Sequence, residues 1–145
     1  MEGLLRIRTK IVVVDNYDVV REWLCELLRA FAEDVESAGS LGDVQRLLER
    51  ERGPVLVVLD MALSHGDDSP EPGFRVLEWM QKEKLLGPQR CQVTVVSGHL
   101  GGYRDAVRAM GTGAVDVVSK PFRTEIDLVP KLARQDWEAR RSLGW

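Results

Sequence analysis

Apolar runs of strand length alternate with segments of helical period along this chain. The strand pattern falls on Lys10–Asp15, Asp34–Ala38, Val55–Asp60, Gln92–Ser97 and Val115–Ser119. Ile11–Val14 and Val55–Leu59 are unbroken and rich in valine, as expected where helices cover both faces of a parallel sheet. Between the first two strands Val19, Val20, Trp23, Leu24, Leu27, Leu28 and Phe31 recur at helical spacing and predict one apolar stripe. Leu41–Arg50, Phe74–Lys82 and Tyr103–Met110 repeat that pattern. The last helix carries Pro130, which is tolerated only in a first turn, where the backbone N–H has no helical partner. The helix is therefore expected to start with Asp127 as its N-cap and to run to about Arg141. Strands and helices in strict alternation imply right-handed crossovers and a doubly wound parallel α/β sheet.

In an open α/β sheet, ligands bind beyond the carboxyl ends of the strands. The first strand delivers Asp15 and Asn16 there, the third Asp60, the fourth Ser97 and the fifth Lys120, followed by Pro121. The second strand brings nothing chemical. Each residue alone has a plainer reading: an Asp at a strand end often caps the next helix, a Ser there is usually a turn residue, and a Lys is usually surface charge. Together on one edge they form an acid cluster with a hydroxyl and an ammonium. Neighbouring carboxylates raise one another's pKa unless a cation sits among them, and a hard divalent ion such as Mg²⁺ suits such a set. The hydroxyl and the ammonium can then hold the oxygens of a phosphoryl group.

Composition narrows the partners. With 145 residues the chain fits one domain, and its net charge of −3 leaves no general footprint for nucleic acid. "KLARQDWEARR" is the one basic candidate, and its alternating charges read as a solvated helix face. Cys25 and Cys91 lie in apolar patterns without metal spacing, which fits buried free thiols in a reducing compartment. The start, "MEGLLRIRTK", is too short in apolar residues for a signal peptide, and no later run approaches a membrane span. A cytoplasmic protein is expected.

Four pieces, "IVVVDN", "VLVVLDMAL", "VTVVSG" and "GAVDVVSKPF", resemble in order and spacing the receiver domain of two-component response regulators, from about Lys10 to Arg140. The resemblance implies a flavodoxin-like fold with strand order 2-1-3-4-5, residues 10–141 forming the receiver between an N-terminal extension (1–9) and a short tail (142–145). It implies that Asp60 is the phosphoacceptor, attacking a phosphohistidine on a histidine kinase or phosphotransfer protein. Asp15, Asp60 and the backbone carbonyl of Ala62 match the Mg²⁺ ligands, Ser97 the switch hydroxyl and Lys120 the phosphoryl-pairing lysine. In that family the Lys–Pro bond is commonly cis, and a homodimer through the fourth helix, fifth strand and fifth helix is common. Such a protein is a switch rather than a turnover enzyme.

Four departures from the family pattern stand out. Asn16 replaces a second acid, keeping an oxygen ligand but removing a charge, so weaker Mg²⁺ binding is expected. The loop after the third strand is several residues longer and acidic (Asp67, Asp68, Glu71), with Ser64 where a proline is usual. It is either an exposed flexible loop or a flap that returns a carboxylate to the pocket. Val117 stands where a switch aromatic is usual. His99 lies where the family borders the water that hydrolyses the phosphoaspartate, and is either a modulator or an exposed loop histidine. Asn16 and Val117 motivate the alternative of an atypical receiver, a protein-interaction module that works without phosphorylation. A flavodoxin-type carrier would want a Ser/Thr/Gly phosphate loop after the first strand. A dehalogenase-type phosphatase would want an acid at Ala62.

Overall fold

A computed structural model of the chain describes residues 6–61, 71–98 and 103–144, the side chains of Ser97 and Tyr103 excepted. Its strands are β1 (Lys10–Val14), β2 (Val35–Ala38), β3 (Val55–Asp60), β4 (Cys91–Ser97) and β5 (Asp116–Ser119). The helices between and after them are α1 (Asp18–Arg29), α2 (Leu41–Arg50), α3 (Glu71–Lys82), α4 (Tyr103–Gly111) and α5 (Val129–Ser142). The strands form one five-stranded parallel sheet in the order β2-β1-β3-β4-β5, with β1 bonded to β2 on one side and β3 on the other. This is the doubly wound fold that the pattern of runs predicts.

The unbroken valine runs have their cause in the two faces of the sheet. Val12, Val14, Val55, Val57 and Leu59 point into a core with α2, α3 and α4, which contribute Leu47, Phe74, Leu77 and Ala109 among others. Ile11, Val13, Leu56 and Val58 alternate onto the opposite face, against Leu24 and Leu28 of α1 and Leu132 of α5. The same alternation carries Asp15 and Asp60 toward the α1 and α5 side at the carboxyl edge.

The structure corrects three expectations. The stripe on α1 is not wholly buried: Leu24, Cys25 and Leu28 are, but Val19 is 81% and Trp23 58% exposed. Helix α1 starts at the carboxyl edge, so its first turns have no sheet beneath them to cover that face. Second, the stretch read as an extension joins the fold from Ile7, which is 1% exposed. Its N–H donates to the Phe31 carbonyl at 2.7 Å and its carbonyl accepts from Glu33 N–H at 3.0 Å. Buried Asp136 of α5 then accepts from the N–H and hydroxyl of Thr9 at 2.9 and 2.6 Å, and pairs with Arg140 at 3.0 Å. A single Ile between two arginines carries no periodic signal, which is why it read as a tail.

Third, Asp127 does not cap the last helix. A π-helical turn, Thr124–Leu128, precedes α5, and the Asp127 carboxylate accepts instead from Arg123 N–H at 2.7 Å. Pro130 still falls in the first turn of α5, as its missing N–H requires. The cations of α5 are engaged by acids, Lys131 and Arg134 by Asp116 and Arg141 by Glu138. Cys25 and Cys91 are buried free thiols, and burial pushes the Cys91 thiol up to about 11. No described helix is long and apolar enough to cross a membrane.

The seating of α3 fixes the end of β3. Gly73 N–H donates to the Met61 carbonyl at 2.8 Å, and a Cβ at Gly73 would lie 2.4 Å from Met61 Cα. Only glycine lets helix and strand approach so closely. Gly73→Ala is therefore expected to lower unfolding stability by about 1–3 kcal/mol through overpacking, read in denaturant melts. Wild-type stability in that variant would remove the constraint.

Candidate functional site at the carboxyl edge of the sheet

Asp15 and Asp60 end the two central strands and are 4% and 6% exposed. The Asp15 side chain is set by its own loop, its Oδ1 accepting from Tyr17 N–H at 2.9 Å. Arg21 of α1 donates to the Asp15 carbonyl at 2.8 Å and pairs with Asp18 at 2.7 Å, tying the β1–α1 turn to the helix. Lys120, after β5, brings its Nζ to 3.4 Å from Asp60 Oδ2, and its bond to Pro121 is cis. Burial pushes the Asp15 carboxyl up to about 6, Asp60 adding to the rise while the Tyr17 N–H and the Lys120 charge oppose it.

The structure thus brings together Asp15, Asp60 and Lys120. Asn16 lies beside them, 9% exposed, and both atoms of its side-chain amide are buried without a hydrogen-bond partner. A buried amide left unpaired costs about 1–3 kcal/mol, so this residue points to something beyond the chain itself. Ser97 ends β4 opposite Ser119 of β5. Its hydroxyl, Ala62, His99, Asp67 and Asp68 lie outside the described residues. Glu71, expected in the acidic loop, opens α3 and pairs with Arg108 of α4 at 2.6 Å. Val117 is half-buried, packed against the core on the α2–α4 face rather than at the acidic edge.

The donor set fits a hard divalent ion. Two buried carboxylates, of which Asp15 is held protonated to higher pH by burial and by its neighbour Asp60, stand beside an orphaned amide oxygen, a set of hard oxygen donors. Among the described residues no group of three His, Cys, Asp or Glu gathers at one place. Sequence reasoning missed Arg21, although its i,i+3 spacing from Asp18 signalled the pair. It also assigned Val20 and Trp23 to the core, whereas with Phe122 they flank a cavity beside the acids.

An aspartate-bearing, doubly wound parallel sheet with a lysine facing a buried carboxylate is the arrangement of a class of signalling domains. The chain belongs to the family described as response regulator receiver domain, whose model matches residues 11–132. It is 32% identical over 115 residues to protein-glutamate methylesterase/protein-glutamine glutaminase 5 of Anaeromyxobacter dehalogenans (strain 2CP-C), covering 77% of this chain and 29% of that protein. The chain thus spans under a third of that relative's length. Among solved structures it is similar to the receiver domain of NtrX from Brucella abortus, with TM-score 0.67 and 26% identity over 88% of this chain and 98% of that one. A CheY-like receiver domain protein from Methanospirillum hungatei JF-1 has the same fold, with TM-score 0.73 and 20% identity over 92% and 98% of the two chains.

The raised Asp15 has a signed consequence for stability. Between its ordinary value of 3.8 and about 6, the folded chain holds this proton more tightly than the unfolded chain does. Stability contributed by Asp15 is therefore present at low pH and lost as pH rises through that window. In the presence of a chelator, Asp15→Asn should raise the melting temperature at about pH 8 by clearly more than at about pH 4.5. Equal shifts at both pH values would mean that the carboxyl is not strained.

Proposed function

We propose that this receiver domain accepts a phosphoryl group on Asp60 and thereby switches a partner interaction. The observation that carries the reading is the Asp60 carboxylate, buried beside Asp15 and facing the Lys120 ammonium at 3.4 Å. The donor is the phosphohistidine of a histidine kinase or phosphotransfer protein. A carboxylate oxygen of Asp60 attacks phosphorus, the P–O bond forms, the P–N bond breaks and the imidazole leaves. Lys120 then exchanges its pairing with the Asp60 carboxylate for one with a phosphoryl oxygen, and the Ser97 hydroxyl donates to another. Mg²⁺, held by Asp15, Asp60, the Asn16 amide oxygen and the Ala62 carbonyl, supplies charge neutralisation when bound. Exposed Val20 and Trp23, which line a cavity shared with Asp60, offer the donor an apolar landing face.

The reading places the chain in a cytoplasmic two-component pathway as a phosphoacceptor rather than a turnover enzyme, with His99 as a modulator of phosphoaspartate lifetime. It includes self-association through α4, β5 and α5, where Val107, Met110 and Val115 are exposed. A second reading, an interaction module that works without phosphate, draws support from the lost charge at Asn16 and from Val117.

Acetyl phosphate with Mg²⁺ separates the two. Intact-mass measurement should show a gain of one phosphoryl group, stable to acid and labile to base, that disappears in Asp60→Ala. No gain at high Mg²⁺ in the wild type would favour the interaction module. Asn16→Asp should tighten Mg²⁺ by about tenfold, because it restores a unit charge next to the ion. A thermal-shift titration with Mg²⁺ reads this directly, and an unchanged midpoint would remove Asn16 from the metal site.

A further inference from the structure

Asn16 has hydrogen-bonding capacity that the acidic edge does not use. It is 9% exposed, and among the described residues neither Oδ1 nor Nδ2 of its amide finds a partner. A loose turn does not explain this, because the backbone is tied on both sides of it. Before it, the Asp15 carbonyl accepts from Arg21 at 2.8 Å; after it, the Tyr17 N–H donates to the Asp15 carboxylate at 2.9 Å. The amide is thereby held next to the paired ends of β1 and β3, where Val14 and Leu59, the residues before Asp15 and Asp60, are register partners. Buried polar atoms without partners are costly and rare. Two of them on one tethered residue point to a group that arrives from outside the chain.

We propose that Asn16 binds the phosphoryl group itself, its Nδ2–H donating to a phosphoryl oxygen on Asp60. The inference rests on the reading of Asp60 as phosphoacceptor and adds a contact to it. The two ends of an amide differ in kind: the oxygen accepts and suits an ion, whereas the nitrogen only donates and has no use for a cation. A phosphoryl group brings three strong acceptor oxygens that share its negative charge. Sheet order says which donors reach them from where. Ser97 ends β4 and Lys120 follows β5, so both approach from one side of β3. Asn16 follows β1, which flanks β3 on the other side. Its nitrogen supplies a donor where Ser97 and Lys120 do not reach. An Asp there would have no donor, and would turn like charge toward the phosphoryl oxygens unless an ion sat between them. The amide makes its bond without the ion, and a donor to a charged oxygen is about twice as strong as one to a neutral group. The phosphoryl group is thus held in part by direct contact rather than wholly through the metal.

Two measurements on the whole chain test this. In the first, the isotope-labelled chain is phosphorylated with acetyl phosphate and Mg²⁺, and NMR follows the side-chain amide of Asn16, assigned by its loss in Asn16→Asp. One amide proton should move downfield and exchange more slowly with water, and the nitrogen should show coupling to phosphorus. In the second, rates of phosphorylation by acetyl phosphate are compared in chelator by intact mass. Asn16→Leu, similar in shape but without a donor, and Asn16→Asp should each be at least about tenfold slower than the wild type there. With saturating Mg²⁺, Asn16→Asp should recover to at least the wild-type rate, which also shows that this variant folds. Asn16 signals that stay in place on phosphorylation overturn the proposal. So does an Asn16→Leu rate equal to the wild type in chelator. If Mg²⁺ supports phosphorylation and the Asn16 results fail, only this contact is lost. If no chain is phosphorylated even with Mg²⁺, the phosphoacceptor reading falls and takes the contact with it.

Discussion

The structure turns on two carboxylates, Asp15 and Asp60, held almost out of water at the ends of adjacent strands. Like charges so placed repel, and burial makes the Asp15 carboxyl harder to ionise. The parallel pairing of β1 and β3 forces the arrangement, because both strands must end on the same edge for their valine faces to be covered. What makes it tolerable is local: the Tyr17 N–H on Asp15 and the Lys120 ammonium on Asp60. Among the described residues one ammonium faces the two acids.

Asn16 changes the terms of this balance without abolishing it. An acid there would add a further buried charge that only a cation could offset. The amide instead trades electrostatic demand for unmet hydrogen bonding, since neither its oxygen nor its nitrogen finds a partner. An unpaired amide suits a group that donates or accepts hydrogen bonds.

How much of this was legible in the residues follows from the physics of each signal. Doubly covered strands must be apolar at every position, so Ile11–Val14 and Val55–Leu59 announce both the sheet and its layers. The candidate residues at strand ends could be placed on one edge because the fold gives those positions a fixed edge. Periodicity failed where geometry rather than composition decides burial. Val19, Val20 and Trp23 have the spacing of core residues, yet their part of α1 starts at the sheet's edge. Ile7 had no neighbours to establish a pattern. The π-helical turn before α5 was hidden because Asp127 satisfies the composition of an N-cap while bonding backward to Arg123.

Val117 puts no aromatic ring on β5, and a set of contacts runs from the end of β3 at Asp60 to α4. Asp60 is followed in the chain by Met61, and Gly73 rests on Met61 with no room for a methyl group. Two residues earlier in the chain, Glu71 holds Arg108 of α4 at 2.6 Å; that guanidinium also lies over the Phe74 ring at 3.7 Å and reaches Glu78 at 3.6 Å. Close-packed contacts have no slack, so a displacement of Met61 must be passed to the start of α3 rather than absorbed. Contact continuity is not itself a switch, which needs two discrete arrangements of some element. The exposed Arg108 fork is the member of this path best suited to have two: its ion pairs lie at the surface, where making or breaking them costs little. In this chain the physical link between Asp60 and α4 therefore runs through α3, on the side of the sheet opposite the apolar cavity.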